Sequence, residues 1–137
     1  MRIAAHPRLY DPLPDVPVLS GTQCARCARV YFPPIGLGCE ICGAPAEDLL
    51  PTMVAATGTI HALAQVHLHQ GAPDTPFTIA EIALDAGPLI RAMVHPESPP
   101  LSIGVAVTAR WNKVGVDDAG VPVVEPAFTI DQNRASS

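Results

Sequence analysis

Apolar and polar residues alternate along much of the chain after residue 50. In the stretch GTIHALAQVHLH, the even positions from Ile60 to Leu68 are apolar, and the odd positions from Thr59 to His69 are mostly polar. This period of two is typical of a half-buried β-strand, because successive side chains of a strand point to opposite faces. The pattern therefore predicts a first strand here, with one face towards a core.

Four further strands are predicted after it. They are FTIAEIAL from Phe77 to Leu84, PLIRAMV after the break at Ala86-Gly87, IGVAVTARWNKVGV, and VPVVEPAFTI after the turn DDAG. In the fourth strand, Val105, Val107, Ala109 and Trp111 share one face. Five antiparallel strands in about 80 residues predict a closed or partly closed barrel rather than a sandwich, which usually has about seven strands.

The first fifty residues follow a different pattern. Residues 1–20 contain Pro7, Pro12, Pro14 and Pro17, which exclude a helix through their middle. They are predicted to form an extended arm that lies over a surface or binds a partner, or else a disordered tail. The predicted domains are thus an arm over 1–20, a metal-binding ribbon over 21–50, and a barrel domain with a short tail over 51–137.

The ribbon is predicted from the cysteines. All four lie in CARCARVYFPPIGLGCEIC, as the pairs Cys24/Cys27 and Cys39/Cys42. A Cys-x-x-Cys turn directs two sulfurs at one ion, and two such turns supply the four ligands of tetrahedral zinc. The prolines and glycines between the pairs turn the chain back, and Gly43 can adopt a positive φ. A site closed by four protein ligands leaves no position for substrate, so we expect the metal to be structural.

The choice of metal stays open at this point. Iron held by the same four thiolates would serve electron transfer, and the ligand set does not distinguish it from zinc. Thioredoxin-like exchange is disfavoured, because it needs a single pair at a helix start within a βαβ pattern.

Composition narrows the classes of function. The chain has eight Lys and Arg against thirteen Asp and Glu, a net charge of −5, and only 4% aromatic residues. This is a poor composition for nucleic-acid binding, which depends on clustered cations. No apolar run approaches the roughly 18 residues of a membrane span, and the N-terminus lacks the apolar run of a signal peptide. We therefore expect a cytoplasmic protein without a membrane partner, which suits metal-bound cysteines.

The order of these features resembles the DUF35 family, in which a rubredoxin-like zinc ribbon is joined to an OB-fold domain. The resemblance covers residues 21 to about 130. It rests on the four cysteines, on Phe32, Pro33 and Pro34 between them, and less strongly on Gly58, Thr59 and Gly104. Two positions depart from the family pattern. Ala28 stands where glycine is common, at little cost if it avoids positive φ, and the proline-rich arm replaces an N-terminal helix.

The resemblance implies a function as well as a fold. Family members resemble non-catalytic partners of thiolase-fold enzymes, or of hotdog-fold enoyl-CoA hydratases, and assist in handling acyl-CoA. We therefore expect an accessory subunit with a structural zinc, whose partner supplies the catalytic residues. The alternative is a single-stranded nucleic-acid-binding protein that uses the barrel.

Three other groups of residues are candidates for sites. Arg91, Arg110 and Lys113 are predicted contacts for the phosphates of coenzyme A, because guanidinium and ammonium groups bind phosphate. His61, His67 and His69 share a predicted strand face, which suggests either a second metal site or, more commonly, a solvated polar face. Trp111 is expected in the core or at the rim of a subunit contact. No nucleophile elbow, Walker loop or dinucleotide fingerprint is present in the sequence.

Overall fold

The computed structural model describes residues 2–67 and 76–132, which form nine strands in two sheets. The strands are β1 Ile3–Ala4, β2 Val18–Cys24, β3 Val30–Tyr31, β4 Leu49–Ala55, β5 Thr57–Val66, β6 Phe77–Leu84, β7 Leu89–Met93, β8 Ala106–Val116 and β9 Pro122–Ile130. A short 3₁₀ turn, Ala46–Asp48, precedes β4. The prediction of a mainly β protein is confirmed.

The five C-terminal strands form the barrel. They are hydrogen-bonded in the order β9-β8-β5-β6-β7. A parallel bridge between Val94 and Phe128 then joins the end of β7 to β9, and the amide of His95 donates to the carbonyl oxygen of Phe128 at 2.8 Å. The curled sheet is thereby closed on itself, as in an OB-like fold. All five predicted strands are found.

The barrel core is built from alternating positions of these strands. Val107 and Ala109 are buried on β8, and Trp111 packs against the same core, as the alternation in the sequence predicted. Ile82 from β6 and Phe128 from β9 are also buried within it. Because small and branched side chains fill the interior, the barrel needs few aromatic residues.

The prediction of one continuous apolar face along the first barrel strand is wrong beyond Ile60. The pairing of β5 with β6 shifts there, so that Ile60 faces Ile82 and Ala62 faces Glu81, with His61 as an extra residue between them. A β-bulge of this kind exchanges the two faces of a strand. Beyond it Leu63, rather than an even-numbered residue, packs against the core.

The N-terminal arm lies on the barrel. Its strand β1 pairs in parallel with β9 and adds a sixth strand to the sheet. Tyr10 is buried, and its hydroxyl donates to the carbonyl oxygen of Val124 at 3.1 Å. The indole Nε1 of Trp111 donates to the carbonyl oxygen of Pro14 at 2.8 Å, and the rings of Tyr10 and Trp111 lie 5.7 Å apart. Trp111 and β9 thus hold the arm on the barrel.

The ribbon is a separate three-stranded sheet in the order β3-β2-β4. It runs from Val18 to Ala55, a few residues beyond each predicted boundary. Its base shares the barrel core through Leu19 and Val54, whereas its other end carries the cysteines. In the part of the chain that the structure describes, no helix has the length and apolar character needed to cross a membrane.

Candidate metal centre

Each Cys-x-x-Cys pair is held in the same local structure. In the first pair, the amide of Cys24 donates to the carbonyl oxygen of Arg29 at 2.9 Å. The amide of Ala28 donates to the carbonyl oxygen of Cys24, also at 2.9 Å. In the second, Cys39 donates to Ala44 at 2.9 Å, and Gly43 donates to Cys39 at 3.0 Å. The two turns are therefore matched in their hydrogen bonding and present their sulfurs in the same way.

The four sulfur atoms lie close together. All of them lie within 4.8 Å of one another, and the pairs Cys24–Cys42 and Cys27–Cys39 are each 3.6 Å apart. Four sulfurs at about 2.3 Å from a tetrahedral zinc would be separated by about 3.8 Å. The distances thus fit the zinc site predicted from the spacing. These four residues would hold the ion, and its chemistry there is to neutralise the thiolates and join the two turns.

The surroundings of the cluster explain why a metal is needed. Cys24 and Cys39, the first cysteine of each pair, are buried, whereas Cys27 and Cys42 are exposed. The core at this end consists of the two buried cysteines with Ala44 and Leu49, flanked by Tyr31 and Ile35. So small a cluster buries little apolar surface, so folding of this end depends on metal binding.

Tyr31 contributes to the site although the sequence analysis did not select it. Its hydroxyl lies 3.2 Å from the Sγ atom of Cys39. This hydrogen bond, followed by those from the amides of Cys42 and Ile41, lowers the pKa of the Cys39 thiol to about 6. The same contact raises the pKa of Tyr31, with a smaller contribution from burial. Tyr31 precedes the Phe-Pro-Pro motif, and its strand position alone gave no signal that its hydroxyl reaches a sulfur.

Backbone amides act on the other thiols. The amide of Cys27 is the main cause that lowers the pKa of Cys24. At Cys42, the amide of Ala44 also lowers the pKa, but burial and hydrogen bonds from the neighbouring thiols outweigh it and raise the pKa to about 12. The first cysteine of each pair therefore ionises more readily than Cys42, which needs the cation to become a thiolate.

The backbone at Ala28 does not meet the condition under which this residue would cost little, because its φ is positive. Its φ is 66°, close to the 77° of Gly43 at the matching position of the second turn. The matched hydrogen bonds explain this, because a turn closed in that way requires the left-handed conformation at its last residue. Ala28 therefore carries strain that glycine would not.

The three predicted phosphate-binding cations have different surroundings in the structure. The Nε atom of Arg91 lies 3.7 Å from Glu81, and Arg110 is paired with Glu97 at 3.2 Å. Lys113 lines a cleft of about 1140 Å³ at one end of the barrel. This cleft has an apolar surface from residues that include Leu63, Phe77, Met93 and Leu101.

The predicted histidine face is also divided. His61 is the extra residue of the bulge in β5 and is exposed, while His67 follows the end of that strand. His69 lies outside the described residues. In the described ranges, the group of residues arranged to hold a metal is the cysteine cluster.

Replacing Ala28 by Gly is expected to stabilise the metal end of the ribbon by about 1 kcal/mol, because the left-handed conformation costs L-residues about 1–2 kcal/mol. The matched change, Gly43→Ala, should destabilise it by a similar amount, since nothing lies within 4 Å of the added Cβ and only the backbone cost remains. Urea-induced zinc release from the full chain measures both. Equal midpoints for the two variants and the parent would contradict the shared geometry of the turns.

Replacing Tyr31 by Phe should weaken zinc binding about tenfold, because groups that hydrogen-bond metal ligands typically contribute 10–100-fold to affinity. Competition with a chromophoric chelator measures this. Tyr10→Phe is the matched control: it removes a hydroxyl bonded to the backbone of the barrel, and should leave zinc affinity unchanged. If both variants bind zinc like the parent chain, the Tyr31 hydroxyl does not support the site.

Comparisons with known proteins agree with this description. Residues 13–48 match the sequence model of the ChsH2 rubredoxin-like zinc ribbon domain. A solved structure named Ltp2-ChsH2(DUF35) aldolase superposes with a TM-score of 0.61 and 24% sequence identity, over 84% of each chain. The first match concerns the ribbon and the second concerns the fold. Together they confirm the resemblance of this chain to the DUF35 family, in which a rubredoxin-like zinc ribbon is joined to an OB-like barrel.

Proposed function

We propose that this protein is a non-catalytic accessory subunit of a cytoplasmic acyl-CoA enzyme, and that it binds a thiolase-like partner or a hotdog-fold hydratase. The observation that carries the proposal is the joint match of ribbon and fold to DUF35 proteins. The name of the similar structure links a DUF35 protein to Ltp2 and to an aldolase. By analogy, this chain acts in a complex whose other subunit supplies the reacting groups.

The chemistry of the metal centre supports an accessory role. Four cysteines would complete the tetrahedral coordination shell of a zinc ion, which would leave no open position for a water or a substrate. The metal therefore shapes a surface rather than activating a ligand. Large apolar side chains are exposed at this end of the ribbon, namely Leu37, which is fully exposed, and Ile41, which lies between Cys39 and Cys42. Exposed apolar side chains of this kind are suited to contact with another subunit.

The cleft of the barrel is the candidate site for the acyl-CoA. Its lining is largely apolar, and Lys113 provides a cation within it. Arg91 and Arg110 are exposed and hold carboxylates in the described structure, so they would have to exchange those partners for phosphates. Among the three predicted cations, Lys113 is therefore the best placed to bind an anionic group of a ligand in the cleft.

The proposal is tested by isolating the tagged chain from its own cells and identifying co-purifying proteins by mass spectrometry. A thiolase-fold or hotdog-fold enzyme is expected in stoichiometric amount. A Cys39→Ser variant, which loses a metal ligand, should retain the barrel and recover much less of that enzyme.

The wild-type chain recovered alone, or with proteins of other classes, would contradict the proposed partnership. A salt-sensitive complex with single-stranded oligonucleotide would instead favour nucleic-acid binding by the barrel.

A further inference from the structure

One wall of the barrel cleft is a loop rather than a strand. Residues 95–105, here called the cleft loop, connect β7 to β8. The loop residues that line the cleft are His95, Pro96, Ser98, Pro99, Pro100 and Leu101. The position of this wall depends on the contacts that hold the loop to the strands.

His95 makes such contacts at the start of the loop. It is buried, with 6% of its surface exposed. Its ring Nδ1 atom is 3.1 Å from the amide nitrogen of Glu97, and its Nε2 atom is 3.3 Å from the carbonyl oxygen of Trp111. Its own amide makes the bond to Phe128 that closes the barrel. One residue therefore connects the cleft loop, β8 and β9.

The partners of the ring define its protonation. A backbone amide can only donate a hydrogen bond, so Nδ1 must accept and carries no proton. A backbone carbonyl can only accept, so Nε2 carries the proton. The structure is thus built around a neutral imidazole in the Nε2–H form. An imidazolium would place an N–H group on Nδ1, directly opposite the amide of Glu97.

Charged side chains are present on each element next to this residue. The carboxylate of Glu97 on the loop is paired with Arg110 of β8 at 3.2 Å. Lys113 of β8 and Glu125 of β9 line the same cleft, and Asp131 follows β9. None of these charges changes the conflict between two N–H groups at Nδ1.

We propose that His95 is an acid-sensitive clasp that positions the wall of the cleft. When neutral, its ring fixes the turn at residues 95–98 and ties it to β8. Protonation breaks the bond to Glu97 and loosens the start of the cleft loop, while the Nε2–H bond to Trp111 of β8 is kept. Because histidine changes charge between about pH 5 and pH 8, the width of the cleft depends on pH within that range. This inference does not depend on which ligand or partner the protein binds.

The test uses NMR of the zinc-loaded full chain. Imidazole ¹⁵N shifts at neutral pH should show His95 as the Nε2–H tautomer. Amide exchange of Glu97, corrected for its intrinsic rate, should accelerate about fivefold or more as the pH falls from about 8 to 5, the range in which histidine titrates. Fivefold corresponds to the loss of one ordinary hydrogen bond.

Substitutions separate the clasp from a general structural role. In His95→Asn, the side-chain carbonyl can accept from the amide two residues on, so the bond to Glu97 is kept without a titratable group. This variant should lose the acid-dependent acceleration at Glu97, whereas His95→Ala should exchange rapidly at both pH values. His61→Asn is the matched control, because it removes an exposed histidine at the bulge, and it should behave like the parent chain.

Two results would overturn the proposal. One is a His95 ring that carries its proton on Nδ1 at neutral pH. The other is an acid-dependent acceleration at Glu97 that persists unchanged in His95→Asn, because the titrating group would then be a different one. If His95→Asn does not fold, the ¹⁵N shifts and the exchange of the parent chain still decide the question.

Discussion

The convergence of four cysteine sulfurs within 4.8 Å is the constraint on which the tip of the ribbon, between β2 and β4, depends. Thiolates at such distances repel one another, and burial together with hydrogen bonds from the neighbouring thiols raises the pKa of Cys42 to about 12. A dication removes that repulsion and joins the two turns. The surrounding apolar cluster is too small to hold the two turns together, so the metal ion provides the stability that a hydrophobic core would otherwise provide.

The barrel provides the rest of the stability through ordinary packing. Its closure is completed where β7 meets β9, and His95 and Phe128 make that contact. The base of the ribbon shares this core through Leu19 and Val54, while the arm inserts Tyr10 into it. Packing therefore joins the arm and the base of the ribbon to the barrel core. Only the tip of the ribbon, beyond β2 and before β4, depends on the metal ion.

Much of this organisation follows from the sequence. The four-cysteine cluster and the five barrel strands were predicted because spacing and period are local signals. Three features were not predicted, because each depends on tertiary contacts. The bulge at His61 arises from the pairing of β5 with β6. The Tyr31 hydroxyl reaches Cys39 because the chain turns back between the two Cys-x-x-Cys turns. The positive φ of Ala28 follows from the hydrogen bonds that close the first of these turns. The placement of Arg91 beside Glu81 likewise depends on the sheet register, and that of Arg110 beside Glu97 depends on the path of the cleft loop.

The most direct measurement is amide hydrogen exchange along the chain before and after removal of the metal by a chelator, with elemental analysis of the starting protein. The account predicts one zinc per chain, a colourless protein, and loss of protection confined to residues 24–48, with protection retained in β5 to β9. Unchanged protection at residues 24–48 after removal would contradict the central claim, as would a visible absorption band from bound iron.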